Sequence, residues 1–457
     1  MLDANIRKIL MQVRDEAADE GIRATFHLHH EKSHLMRIGN NSVSLNTSED
    51  LMRLDVEVTD GRKQGSQTYL GTIKEAETIR EILGEAREKA RVASPKTYDP
   101  IPDEVELTVS EDSQYDPMLA DMDPSLKAAA YREIFKKLGE QYNYSGSWSS
   151  GSMEVYILTT ANRNEVYHKG TDQLFSIVLK HPQAKWELTH NQTGWRPSDF
   201  AVEKTIDALN KLIPVFENNK GYKAEPGEYT VIFGADAISE IISMMAYTGL
   251  SGRGWEEKQS WTSRFKPGEM ILGEEISVVD DPSNPETFMF GFDMCGRKRN
   301  IFPLVADGTL RNLMYDSSTA ARYGKNPTGH DTGSPSIVMD TGFGQEDPLD
   351  AVRDMGRVLY IPGLHYVNIP SVSKGIFTGS SRFNAVLVED GKIVSPVFSS
   401  RVTDSFQNVL GNVKVVSSVS ESVNISNTYE RRTPVAMSVP SYFVSEGVKI
   451  TDSADSF

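Results

Sequence analysis

The sequence predicts an α+β fold. An N-terminal region of antiparallel sheets and flanking helices (1–222) precedes a mostly antiparallel β-barrel or sandwich (223–457). Three observations carry this expectation. Helical and alternating apolar patterns take turns through the first half. Short Gly-, Ser- and Val-rich runs with hairpin turns fill the second. Between them, Glu225 to Gly252 reads as strand, tight turn and helix: Tyr229 to Phe233 is β-rich, and Ile238, Ile241, Ile242 and Met245 share one helix face.

In chain order, Ile6, Ile9, Leu10 and Val13 form the stripe of a first helix. Short alternating runs follow at Arg23 to His29, Leu35 to Leu45 and Met52 to Thr59, with turns at Gly39-Asn40-Asn41 and Asp60-Gly61, which predicts a small antiparallel sheet. A polar helix spans about Ile73 to Ala93. Five prolines and many acids between Ser94 and Pro124 read as a linker or draped surface segment. A helix from Ser125 to Tyr142, a second meander between Met153 and Thr189, and a helix from Asp199 to Leu212 close the first half. Beyond Tyr222, strands are expected at Glu275 to Val279, Phe288 to Phe292, Ala385 to Glu389, Lys392 to Val397 and Val413 to Val419. Asp307-Gly308 and Asp390-Gly391 are hairpin turns.

A chain of 457 residues buries sizeable cores, and 39% hydrophobic with 25% charged residues is ordinary for a globular protein. The net charge of −16 argues against nucleic acid, whose phosphates need Lys and Arg. No apolar run approaches the roughly 20 residues that cross a bilayer, so no membrane role is expected. The single cysteine, Cys295, excludes a disulfide framework and points to the cytoplasm.

His30-Glu31-Lys32-Ser33-His34 spells H-E-x-x-H, which binds zinc when a helix brings both imidazoles to one ion. Here Thr25, His27 and His29 alternate with Phe26 and Leu28 as on a strand, where residues four apart sit ~13 Å from each other. The string is therefore assigned to a solvated turn. Gly324 to Gly329 has phosphate-loop glycine spacing without its lysine and reads as a turn after a helix at Ser317 to Tyr323. His330 and Asp331 pair as acid and base only if a nucleophile lies nearby, and none is identifiable. Cys295 reads as a small residue at a strand end, and Arg297, Lys298 and Arg299 as a solvated face or partner contact.

The back half carries a longer pattern. It contains Phe292-Asp293-Met294-Cys295-Gly296, then Ala306 to Leu310, Tyr315 to Ala320 and Gly324 to His330. Thr378 to Ser381, Val388 to Ile393 and Pro440-Ser441 to Ile450 continue it, and Arg37 to Asn41, Asp60-Gly61-Arg62 and Gly65 stand in the front half. Together these resemble the TldD/PmbA family over nearly the whole chain. The resemblance implies a zinc-dependent peptidase of two related subunits. TldD-type chains carry H-E-x-x-x-H on a helix and a distant C-terminal cysteine, and TldE-type chains keep the fold without the ligands. Counted back from Leu250-Ser251-Gly252, the motif's slot falls on Met244 to Gly249: Met244 and Gly249 stand for the histidines and Met245 for the glutamate. No cysteine follows residue 295.

The expectation is a non-catalytic TldE/PmbA-like subunit, with no catalytic residue and no metal of its own. Zinc is expected in a TldD-like partner. Peptide is the substrate, Thr328, Gly329 and His330 are candidate groove residues, and a homodimer is the other assembly. Two rivals stand beside it. One is a stand-alone zinc peptidase using His30, Glu31 and His34. The other is a regulatory binding protein without a proteolytic role, which would co-purify with an unrelated enzyme.

Overall fold

The computed structural model describes residues 4–102, 109–330, 335–426 and 431–457, with the backbone alone for 109–113. In the front half, α1 (Ala4–Asp19) buries Ile6, Leu10 and Val13. β1 (Arg23–Gly39), β2 (Ser42–Asp60) and β3 (Lys63–Leu70) form a meander, and α2 (Ala76–Val92) follows. Both helices lie on the face that carries Phe26, Leu28, Leu54 and Val56.

β4 (Val109–Gln114) and α3 (Pro117–Ala120) come out of the Pro- and Asp-rich segment. That segment is therefore no simple linker: β4 pairs parallel to a strand of the sheet, and Leu119 and Ala120 are buried. Then come α4 (Pro124–Leu138), β5 (Asn143–Thr159), β6 (Glu165–Lys180), β7 (Glu187–Gly194) and α5 (Val202–Asn218). Among the described residues the strands make one sheet, in the order β3-β2-β1-β5-β6-β4 with β7 also on β6. The two expected small sheets are one because β1 pairs antiparallel with β5. Its strands are also far longer than the apolar runs suggested, 17 residues in β1 and 19 in β2. Typical strands run about 5–6 residues. Here helices cover one face and back-half residues pack against parts of the other, so polar stretches stay in register.

The back half holds two further sheets among the described residues, with no closed barrel. The larger has β8 (Gly227–Gly234) inside it, parallel to Arg357–Ile361 and antiparallel to Tyr442–Ser453. α6 (Ala235–Gly249) packs between the sheets, touching β8 and Tyr442–Ser453 on one side and Ser420–Asn424 and Ala436–Pro440 on the other. Both predicted hairpins form, at Phe302–Ala306 with Thr309–Leu310 and at Val386–Glu389 with Lys392–Pro396. Phe288 to Phe292 is not a strand; Phe290 and Phe292 instead pack in a small cluster against Met153 and Val155.

One apolar core joins front to back: Met36, Tyr144 and Trp186 share it with Val358, Val386, Tyr442 and Val444. No helix among the described residues is long and apolar enough to cross a membrane.

Candidate functional site

The strand, turn and helix at 225–252 form as the apolar spacing requires, and the turn depends on glycine. A Cβ on Gly234 would lie 2.9 Å from Pro362 Cα, and the next turn is fixed by the Ala237 amide donating to the Pro362 carbonyl at 3.0 Å. Ile238, Ile241, Ile242 and Met245 are all fully buried.

Met244 to Gly249, where the resemblance puts the zinc motif, is taken up by packing at the far end of α6. Met245 is 0% exposed and Met244 is half-buried against the same core. A Cβ on Gly249 would sit 2.3 Å from Trp261 Nε1. The Gly249 carbonyl accepts from Ser260 Oγ at 3.0 Å and from Thr262 Oγ1, which holds the indole in place. Two thioethers and a glycine under an indole do not fit a hydrolytic zinc, which needs about three N, O or thiolate ligands and an open position.

At its first turn α6 offers something the sequence reading missed. Asp236, Glu240, Glu421 and Tyr360 lie near one another beside β7, and Asn191 Nδ2 donates to Asp236 Oδ2 at 3.2 Å. Asp236 and Glu421 reach solvent at the mouth of the recess, yet its walls desolvate the Asp236 carboxyl and raise it above the usual carboxylate range, with the Asn191 hydrogen bond opposing. Desolvation, and then the Asp236 charge, raises Glu240 and Glu421 too. The result is a recess rich in carboxyls that hold protons more readily than usual. Residues 236 and 421 are too far apart in the chain to read as a motif.

The residues at 328–330 stand close to the C-terminal end of α6. Met314 is bridged to Leu250 and Gly252 by backbone hydrogen bonds, and Tyr315 is bonded to Thr328. His330 itself is buried. Its Nδ1 meets Asp280 Oδ2 at 2.5 Å, and Phe302 stacks on the ring. Asp280 Oδ1 accepts from Arg299 Nη2 at 2.5 Å and from the Ser336 amide at 2.7 Å. Burial pushes this carboxyl up, but the His330 hydrogen bond and the Arg299 charge outweigh it and hold it low. Arg299 is thus an interior residue, and the expected solvated face at 297–299 is corrected there: its guanidinium is needed to pair Asp280. Arg297 donates to the Pro102 carbonyl at 2.7 Å. Asp331 lies outside the described residues.

The string at 30–34 is no turn. It sits inside β1, paired on both edges by β2 and β5. Strand alternation sends Glu31 to one face and His30 and His34 to the other. Glu31 Oε2 receives the Arg432 amide at 2.5 Å and contacts His29 Nε2 at 3.0 Å. His30 Nε2 bonds Asp50 at 2.7 Å, and His34 Nε2 bonds the Ala120 carbonyl at 3.0 Å. Among the described residues, no group of three His, Cys, Asp or Glu side chains is placed to hold a metal ion.

Beside this string, burial drives the His27 imidazole down to about 3, helped by Arg431. A histidine held neutral in the fold, here with its Nε2 buried, must take up a proton on unfolding in acid. Its stabilisation is complete above the ordinary value of 6.5 and is lost as pH falls below it. At pH 5 this amounts to about 2 kcal/mol relative to pH 8. Urea unfolding at both pH values should show that difference shrinking by a similar amount in His27→Gln. An unchanged slope would contradict it.

The family model for the "PmbA/TldA metallopeptidase C-terminal domain" matches residues 226–452. The TldD homolog metalloprotease of Haemophilus influenzae is 24% identical over 324 residues, 66% of each chain. The relatives matched by sequence are spanned over 34% to 66% of their own length. The crystal structure of TldE from Thermococcus kodakarensis superposes with a TM-score of 0.78 at 17% identity, covering 97% of this chain and 100% of that one. A proposed modulator of DNA gyrase from Bacteroides thetaiotaomicron gives a TM-score of 0.80 at 18% identity, over 99% and 100%. With the back-half model, the sequence relatives and the shared fold in agreement, this chain belongs to the TldD/PmbA family.

Proposed function

We propose that this chain is a TldE/PmbA-like, non-catalytic subunit of a two-chain zinc peptidase in the cytoplasm. A TldD-like partner supplies zinc and cleaves unfolded or modified peptides, and this chain shapes the chamber. The observation that carries the reading is the filled slot: Met245 belongs to the core, and Trp261 takes the space a side chain at Gly249 would need.

The terminal strand β7 is where an extended peptide would add. Asn384 bonds the amide and carbonyl of Thr189 there, at 2.9 and 2.7 Å, so that edge already receives a non-strand partner. By strand periodicity Asn191 and Thr193 present their backbone groups to the same side, next to the carboxyl recess.

The test is reconstitution. Mixing this chain with a TldD-like chain should give peptide cleavage well above the sum of the two alone. A rate unaffected by adding this chain would overturn the proposal. His30→Ala should leave zinc content and the mixture's activity unchanged and cost about 1–3 kcal/mol, the worth of a hydrogen bond to the Asp50 carboxyl from a side chain only 12% exposed. Loss of a stoichiometric zinc in that variant would favour the rival enzyme.

A further inference from the structure

A cavity of about 10 Å³ lies where the front sheet meets the back half, walled by His29, Met153, Val155, Phe290, Met294, Thr433 and Pro434. That is room for one water molecule or one bare ion. His29 is 1% exposed, and its Nδ1 is buried with no hydrogen-bond partner. The other ring nitrogen is spoken for, because Nε2 meets Glu31 Oε2 at 3.0 Å. Both Glu31 oxygens accept from other donors, Oε2 from the Arg432 amide at 2.5 Å and Oε1 from Ser33 Oγ at 3.3 Å. A carboxyl that accepts from its neighbours accepts from the ring too, so Nε2 carries the proton and Nδ1 keeps a lone pair. A carboxylate behind an imidazole is the arrangement that orients metal-binding histidines.

The remaining wall decides which cation fits. Apart from the Thr433 hydroxyl, the donors supplied by the other lining residues are two thioethers, with Met153 buried and Met294 half-buried. One neutral imidazole and two thioethers form a soft, uncharged donor set, which suits Cu(I). A divalent ion would bring two charges into a lining that holds no carboxylate and is disfavoured. Local charge agrees with a single positive charge. Arg431 pairs with Asp55 at 2.9 Å and Arg432 with Asp172 at 2.6 Å, and among the described residues no guanidinium forms an ion pair with Glu31. We propose that His29, Met153 and Met294 form a binding site for one Cu(I) ion.

The test is competition of the purified full-length chain with the Cu(I) chelator bicinchoninate under ascorbate. One Cu(I) per chain should be withheld from the chelator, and Zn(II) should not displace it. Met153→Leu with Met294→Leu keeps volume, so the fold should persist. Circular dichroism checks that. Binding in this double variant should weaken at least tenfold, as it should in His29→Gln, whereas Cys295→Ser should bind as the parent does. No protected copper, or protection lost in Cys295→Ser but kept in the methionine variant, would overturn the proposal. A cavity that holds only water gives the first of these results.

Discussion

Arg432→Ala is expected to destabilise the chain by about 3–5 kcal/mol, as stranding a buried charge does. The guanidinium is interior: Nε donates to Asp172 Oδ1 at 2.6 Å and Nη2 to the Asp172 carbonyl at 2.9 Å. Nη1 reaches Ser33 and Ser149, at 3.4 and 3.2 Å. One residue of the back half thereby ties β1, β5 and β6 of the front sheet. Without it Asp172, 1% exposed, keeps among the described residues a 3.5 Å contact from Asn424 Nδ2. Burial already pushes the Asp172 carboxyl up while Arg432 pulls it down. In the variant it rises further, so the folded state takes up a proton and the deficit shrinks as pH falls. Adding Asp172→Asn should recover part of the loss at pH 7. Urea unfolding of both variants at pH 7 and pH 5 checks this; a deficit below about 1 kcal/mol means that the pair does not hold the halves together.

Restoring the zinc motif should fail, and fail structurally. Gly249→His places a Cβ 2.3 Å from Trp261 Nε1, so the indole must leave a pocket it fills completely. Overpacking of this kind costs about 1–3 kcal/mol. Met245→Glu adds a carboxyl at a position with no solvent exposure and no cationic partner, at a cost of several kcal/mol more. The triple variant with Met244→His should melt far below the parent and carry no zinc by elemental analysis. A folded triple variant holding one zinc per chain would show that the slot is merely vacant and not filled.

The parts legible in the sequence are those whose signal is local. The α6 stripe follows from four apolar residues at helical spacing, and the two Asp-Gly hairpins from turn chemistry. The lengths of the front strands are not legible because their middles are Ser, His, Asp and Lys, held extended by ladder pairing with neighbouring strands and not by alternation. For the same reason the sequence of His30 to His34 suggests a turn. The interior networks left no local trace: Asp280 meets Arg299 and His330 from 19 and 50 residues away, and Arg432 meets Asp172 across 260. The carboxyl recess at Asp236 likewise depends on Glu421 arriving from a distant strand.

Zinc counted chain by chain in a reconstituted complex tests the central claim most directly. After this chain and a TldD-like chain are purified separately, mixed and separated again, elemental analysis should find the metal with the partner and none above background here. A stoichiometric zinc that stays with this chain through the cycle, and is lost on substitution near Met244 or Gly249, would contradict the account.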